Sequence, residues 1–304
     1  MDIAGYLVHL WDLRSAKVIA GIAVVTLLVV LVGGHRALVS GNALANSRVS
    51  LLFWFSNTLV TPWLALASAG FVMAYGALGL PSLSSSAWQA VPFPLLVLIA
   101  FLANEFWIYW AHRWLHSRWG WPIHAIHHSD THVNGFTLWR IHVLEAVVMQ
   151  LFALVMISWM GLPPAAAGAG ALVVMLHAVY IHSPLDWDHG PLRMVIASPR
   201  FHRWHHADAE AAYNTNLANA VPLFDWLFGT YRTPHRLDAP MGARSAGVPD
   251  TDFVSLWAWP FMEWARMIGE AVGVRPRPTA KPTAPLVLES ETYLLNSGRS
   301  DRLS

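Results

Sequence analysis

Five stretches of this chain are too apolar and too long to serve as ordinary surface elements, and they limit the fold to one built in a bilayer. They cover residues 18–32, 51–80, 91–111, 143–160 and 165–181. The first follows Arg14 and Lys17 and lacks an Ala-x-Ala cleavage pattern, so it reads as an anchor rather than a signal peptide. The second is long for one crossing of a ~30 Å hydrocarbon core; it reads as a tilted helix, a helix kinked at Pro62, or a helical hairpin. The last two are joined by Gly161-Leu162-Pro163-Pro164, so short and uncharged a turn that they form a hairpin with both ends on one side. Charged residues make up 12% of the 304, against about 25% in soluble domains, too few to coat a water-soluble monomer.

Lysine and arginine then orient the runs. Arg113, Arg118 and Arg140 follow the third run, and Arg193, Arg200, Arg203, Arg232 and Arg236 follow the fifth; the connections at 81–90 and 161–164 carry none. The charged segments are expected on the cytoplasmic side and the bare turns opposite. The N-terminal side stays open, because Arg14 and Lys17 compete with Arg36 and Arg48. The expected fold class is all-α: a polytopic membrane protein with about five transmembrane helices and a cytoplasmic, histidine-rich helical cap. Residues 1–90 form an N-terminal transmembrane region. Residues 91–235 form the histidine-bearing domain, including the transmembrane hairpin 143–181. An amphipathic interfacial segment spans 236–274, with its aromatic stretch at 253–272, and a Pro-rich disordered tail spans 275–304.

The absence of cysteine excludes disulfides, thiolate nucleophiles, Cys-held zinc and protein-bound iron–sulfur clusters. A net charge of +1 gives no case for nucleic acid. The histidines are the anomaly: of 16, 13 lie between His112 and His206. They include one HxxxH, His112 and His116, and two HxxHH groups: His124, His127 and His128, then His202, His205 and His206. At this histidine frequency an HxxHH arises by chance about 0.04 times per chain, so two are not scatter. Positions i, i+3 and i+4 share a helix face, and each group can aim its imidazoles at one centre. The topology returns all eight to one membrane-proximal face. Eight nitrogens exceed the four that one tetrahedral zinc needs; the count points to two metals, of a kind that accepts nitrogen, such as iron, zinc, copper or nickel.

The order HRWLH, HAIHH, HRWHH around a span hairpin resembles the integral-membrane fatty acid hydroxylase superfamily, also called the sterol desaturase family. Asn104-Glu105-Phe-Trp-Ile-Tyr109-Trp110-Ala-His112-Arg113 is similar to the approach to its first box. His128-Ser129-Asp130 and Arg140-Ile-His142-Val-Leu-Glu145 are similar to the segment after its second. Ser198-Pro-Arg-Phe-His202 resembles the approach to its third, and Asn216 with Pro222 to Tyr231 resembles its closing motif. The resemblance covers roughly 95–233. It implies a helical membrane fold, a non-haem centre of two Fe, O2 as co-substrate, and hydroxylation or desaturation of a lipid-like substrate. It also implies His182 as a ninth metal ligand. Here His182-Ser183-Pro184 has Pro where the family often has Asn, and Val follows His142 where Pro is common.

Around these ligands the expected supporting residues are Glu105, Arg140, His142, Glu145, Asn216 and Asp225. Glu105, an acid within an apolar run, is expected to accept an N–H from a ligand histidine or to bind metal itself. His142, Arg140 and Glu145 are expected to be supporting or structural rather than ligands, for instance as an Arg–Glu pair, and Asn216 and Asp225 to orient neighbours. His177, five residues before His182, faces elsewhere and reads as a packed histidine. His132 and His189 divide evenly between support and solvated loop; His9, His35 and His235 read as surface groups. With no GxGxxG, no haem-binding domain and no cysteine in the sequence, electrons are expected from an external donor, a ferredoxin, cytochrome or reductase. The expected location is a bacterial inner membrane with the site facing the cytoplasm. Fatty acyl chains, sterols, carotenoids and ornithine-type lipids remain open as substrates. Two rivals differ in class. A zinc-dependent membrane hydrolase calls for a Glu beside paired histidines, as in HExxH, which the boxes lack. A metal transporter calls for ligands along successive spans.

Overall fold

The computed structural model describes residues 42–233 and 239–274, together with Val24 and Leu27. The chain divides into two units, Met1–Glu263 and Trp264–Ser304, and all the histidine boxes lie in the first. The helices are α1 (Ala43–Ala77), α2 (Phe93–Leu115), α3 (Trp121–His128), α4 (Val143–Met160), α5 (Pro164–Ile181), α6 (Pro199–His205), α7 (Leu223–Phe228) and α8 (Phe253–Ala271). Short 3-10 turns lie between several of them, and no β-strand occurs among the described residues. The expected all-α membrane class holds.

Among the described residues four helices, α1, α2, α4 and α5, are long and apolar enough to cross a membrane. The expected run 18–32 lies outside the described residues except for Val24 and Leu27, and the expected tail 275–304 lies outside them altogether. Of the three readings of 51–80, the hairpin is excluded: the run belongs to a single helix of 35 residues with Pro62 inside it. At 1.5 Å per residue that helix is about 52 Å long, far more than a ~30 Å core requires. The excess has a use. Ala43, Asn46, Ser47, Val49, Ser50 and Phe53 are buried, whereas the most apolar stretch of the helix is not buried at all within the protein. The first three turns of α1 therefore belong to the polar cap, and Asn57 Nδ2 extends the tie by donating to the Ile141 carbonyl at 2.9 Å.

α4 and α5 form the expected hairpin. Gly161 ends α4 at φ 58°, and Pro163 precedes α5, the usual division of labour between a left-handed stop and a proline-initiated start. The second bare connection joins the first at this end: Leu83 N donates to Trp159 O at 2.7 Å and Trp88 Nε1 to Met160 O at 2.8 Å. Leu96 and Ala100 of α2 pack here against Leu162, Ala166 and Ala167. A Cβ on Gly170 would sit 2.8 Å from Ala100 Cβ and 2.8 Å from Phe101 N, so α2 and α5 touch closely only because glycine stands there. Lipid offers no hydrophobic drive between helices, and such small-residue contacts supply the packing instead.

At the other end α2 reverses into α3 through Gly120, whose missing Cβ would lie 2.4 Å from Trp114 O. α3, the start of α1 and the start of α8 share a core of Val49, Phe53, Ala125, Ile126 and Leu256, with Phe53 and Phe253 in edge contact at 4.9 Å.

Candidate metal centre

Each histidine box sits where a helix ends or is short. His112 lies in the last turn of α2 and His116 caps it. His124, His127 and His128 are carried by the eight residues of α3. α6 starts at a capping serine, with Phe201 N donating to Ser198 Oγ at 3.1 Å, and ends on His205 with His206 as its cap. His182 caps α5. Helix ends bring these side chains to the boundary between the apolar helices and the cap, and all nine are buried except His116, which is half-buried.

The nine imidazoles fall into two clusters, each with nitrogens within 4.8 Å of one another. One holds His112, His116, His124, His128 and His205; the other holds His127, His182, His202 and His206. Each HxxHH box aims two of its three imidazoles at one cluster and the third at the other. Both HxxHH boxes are shared, because i and i+4 project about 40° apart on a helix whereas the middle histidine lies about 100° from the last. His124 and His128 therefore join one cluster and His127 the other, while His202 and His206 pair off from His205. His112 Nε2 lies 2.9 Å from His124 Nε2. In the second cluster His182 Nε2 lies 3.2 Å from His127 Nε2 and 2.9 Å from His202 Nε2, with His206 Nε2 3.0 Å from the latter.

Burial, and after it the neighbouring imidazoles, holds His116, His124, His127, His128, His202, His205 and His206 well below the ordinary histidine value; burial takes His182 down to about 4. The rings are therefore neutral at pH 7, the form that ligates metal. Nε2 of His116, His128 and His205, and Nδ1 of His127, His202 and His206, have no hydrogen-bond partner among the described residues. A buried polar atom left so costs ~1–3 kcal/mol, and inward-facing lone pairs crowded at these distances repel unless a cation lies among them. An all-imidazole donor set fits iron, zinc, copper or nickel and not magnesium or calcium.

The supporting residues act differently from expectation in several places. Glu145 does not pair with Arg140; its Oε1 accepts from His124 Nδ1 at 2.9 Å. Arg140 is fully buried and donates instead to Ile126 O, Ser129 Oγ, Asn46 Oδ1 and the Asp250 carbonyl. Burial lowers it to about 10, with Asp130 and Asp250 opposing, so it stays cationic and ties α1 to the end of α3. Glu105 meets no histidine. It accepts from Asn219 Nδ2 at 3.0 Å and Ala220 N at 2.5 Å, which clamps the segment before α7 onto α2. Asp225 accepts from Leu217 N, Ala218 N and Thr230 Oγ1 at 2.6, 2.8 and 2.6 Å, and burial raises it to about 6 against those bonds. Asn216 stands at φ 55° and accepts from Arg232 N at 2.7 Å. His142 caps α4, accepting from Leu144 N at 3.2 Å.

His177 and His132 lie outside both clusters; His132 is bound to Thr131, and His189 to the Tyr180 hydroxyl at 2.7 Å. The carbonyls of Leu217, Thr215 and Ala178 went unseen in the sequence. They lie 2.6, 2.8 and 2.7 Å from Nδ1 of His112, His205 and His182. A carbonyl leaves no trace in residue identity, although two asparagines flanking Thr215 hint at left-handed backbone.

The fatty acid hydroxylase family model matches residues 97–230, a span that encloses Glu105, Asp225 and all nine clustered histidines. Over that segment, less than half of its length, this chain is similar to the fatty acid hydroxylase superfamily. An ornithine lipid hydroxylase of Rhizobium tropici is 28% identical over 218 residues, 70% of this chain and 65% of that protein. An alkylglycerol monooxygenase of Danio rerio is 30% identical over 44% of this chain and 30% of its own length. A methylsterol monooxygenase of Arabidopsis thaliana is 28% identical over 50% of this chain and 51% of its own. The matches thus span less than two thirds of each relative. No solved structure matches the chain.

Proposed function

We propose that this chain is a member of that superfamily and an integral-membrane oxidoreductase that uses O2 to hydroxylate a membrane lipid at a centre of two Fe. The observation that carries the reading is the gathering of nine imidazoles, eight of them buried, into a cluster of five and a cluster of four at one end of the membrane-length helices. His112, His116, His124, His128 and His205 would hold one iron, and His127, His182, His202 and His206 the other. Bound there, iron supplies the oxygen-activating redox chemistry that side chains lack.

The chain's own contribution is positional. Helix-end placement fixes the rings at the membrane boundary, where an acyl chain can approach sideways from lipid while its headgroup stays in water. Burial keeps bulk water away and holds the imidazoles unprotonated. Glu145 and the Leu217, Thr215 and Ala178 carbonyls accept Nδ1–H and so present Nε2 inward. The relatives' names, all hydroxylase or monooxygenase, favour hydroxylation over desaturation, and the ornithine lipid hydroxylase favours a bacterial polar lipid as substrate. Electrons would come from a separate ferredoxin, cytochrome or reductase. Under the positive-inside rule the arginine distribution favours a centre on the cytoplasmic side, here of a bacterial inner membrane.

Mass spectrometry of lipid extracts from aerobically grown cells with and without the gene tests this. A lipid class gaining 16 Da in the presence of the gene, with two irons per purified chain, is the expected result. An unchanged lipidome, or zinc-dependent turnover without oxygen uptake, overturns it.

A further inference from the structure

The two clusters are braced from outside in unequal ways. Around the five-histidine cluster, His112 Nδ1 bonds Leu217 O, His205 Nδ1 bonds Thr215 O and His124 Nδ1 bonds Glu145. Two of these three partners come from one strap, residues 214–218. The strap's own backbone is held at several points. Asn214 and Asn216 hold left-handed φ values of 57° and 55°. Asp225 takes the amides of Leu217 and Ala218, Asn216 N donates to Thr230 O at 2.9 Å, and Glu105 anchors Asn219 and Ala220 just beyond.

The four-histidine cluster has far less. His182 Nδ1 bonds the Ala178 carbonyl, but Nδ1 of His127, His202 and His206 finds no acceptor among the described residues. A ring whose outer N–H is bound keeps its tautomer and orientation, and it is a stronger donor; losing such a partner typically weakens metal binding about 10–100-fold. A ring without one is held by packing alone and swings away from a metal more readily.

We propose that the two metal sites differ in retention: the five-histidine site, braced by the strap 214–218 and Glu145, keeps its metal long after the four-histidine site has released its own. This rests on the two-metal reading above and adds an order of loss, and hence of loading, which that reading does not contain. Asp225 is a positioning residue for the retained site, acting on His112 through the Leu217 backbone.

Purified full-length protein, loaded anaerobically with ferrous iron in detergent and mixed with a chromogenic ferrous chelator, tests the order. Release is expected in two phases of one iron each, separated by at least about tenfold in rate. His206→Ala should delete the fast phase and leave one slow iron, and His116→Ala should leave one fast iron. Glu145→Gln weakens the acceptor on His124 Nδ1, and it should speed the slow phase roughly tenfold without changing the fast one. Asp225→Asn should do the same through Leu217, and Glu145→Gln carries the test if Asp225→Asn unfolds. Release of both irons in one phase overturns the inference while leaving two bound metals intact. So does a slow iron that survives His116→Ala but not His206→Ala. A chain that takes up no iron overturns both this and the catalytic reading.

Discussion

Where α4 turns into α5, the helices are held by small apolar contacts, Ala100 and Gly170 against each other and Leu162 beside Ala166, with two hydrogen bonds from the neighbouring connection. At the histidine end of the same helices nearly every contact that matters is polar and buried: Glu145 on His124, Asp225 and Glu105 on backbone amides, Arg140 across four partners. Apolar packing sets where a helix lies but tolerates small rotations of its side chains. Hydrogen bonds to a ring nitrogen set which nitrogen faces inward, and in a buried setting they are costly to leave unmade. One end therefore governs stability and the other governs chemistry.

Perturbations of each end test that division. The largest effect is expected from the polar end: His128→Ala should abolish hydroxylated product and lower iron content, with the protein still inserted in membranes by fractionation. Acid should act next. The metal-free chain keeps its rings neutral when folded, His182 down to about 4, whereas an unfolded histidine takes up a proton near pH 6.5. Between those values the unfolded state binds more protons, so stability is full above about pH 6.5 and falls as the pH drops towards 4. Thermal unfolding of the metal-free protein across that range should show the decline; a flat profile would separate burial from protonation. Glu145→Gln should weaken iron binding about 10–100-fold, read as equilibrium iron content against a competing chelator, with little change in melting temperature.

The apolar end should give the reverse pattern. Gly170→Val forces α2 and α5 apart and should cost ~1–3 kcal/mol, visible as a lower unfolding midpoint, while bound iron per folded chain stays unchanged. Trp88→Phe removes the bond to Met160 O and part of the ring packed on the Leu96–Leu162 cluster, and it should cost ~1 kcal/mol. Loss of iron in either variant, in protein that remains folded, would break the comparison.

Much of this was legible in the residues. The spans were readable because lipid demands about 20 apolar residues in a row, and α4 begins and ends where the run does. The candidate ligands were readable because HxxxH and HxxHH at helical spacing are rare by chance. The single course of α1 was not: its apolar pattern continues past one membrane thickness, and only its first three turns, buried on the cap, explain the length. Nor was the partner of Glu145, since a carboxylate finds an arginine or an imidazole by tertiary position.

By itself, then, the sequence determined an all-helical membrane protein and the histidines that gather at one end of it, because helix period and hydropathy are local properties. Only the tertiary structure decided the division of each HxxHH box between two clusters, the placement of Glu105 on a strap rather than a ring, and the carbonyls that orient His112, His182 and His205. Those depend on the rotation of one helix against another and on backbone atoms that every residue carries alike.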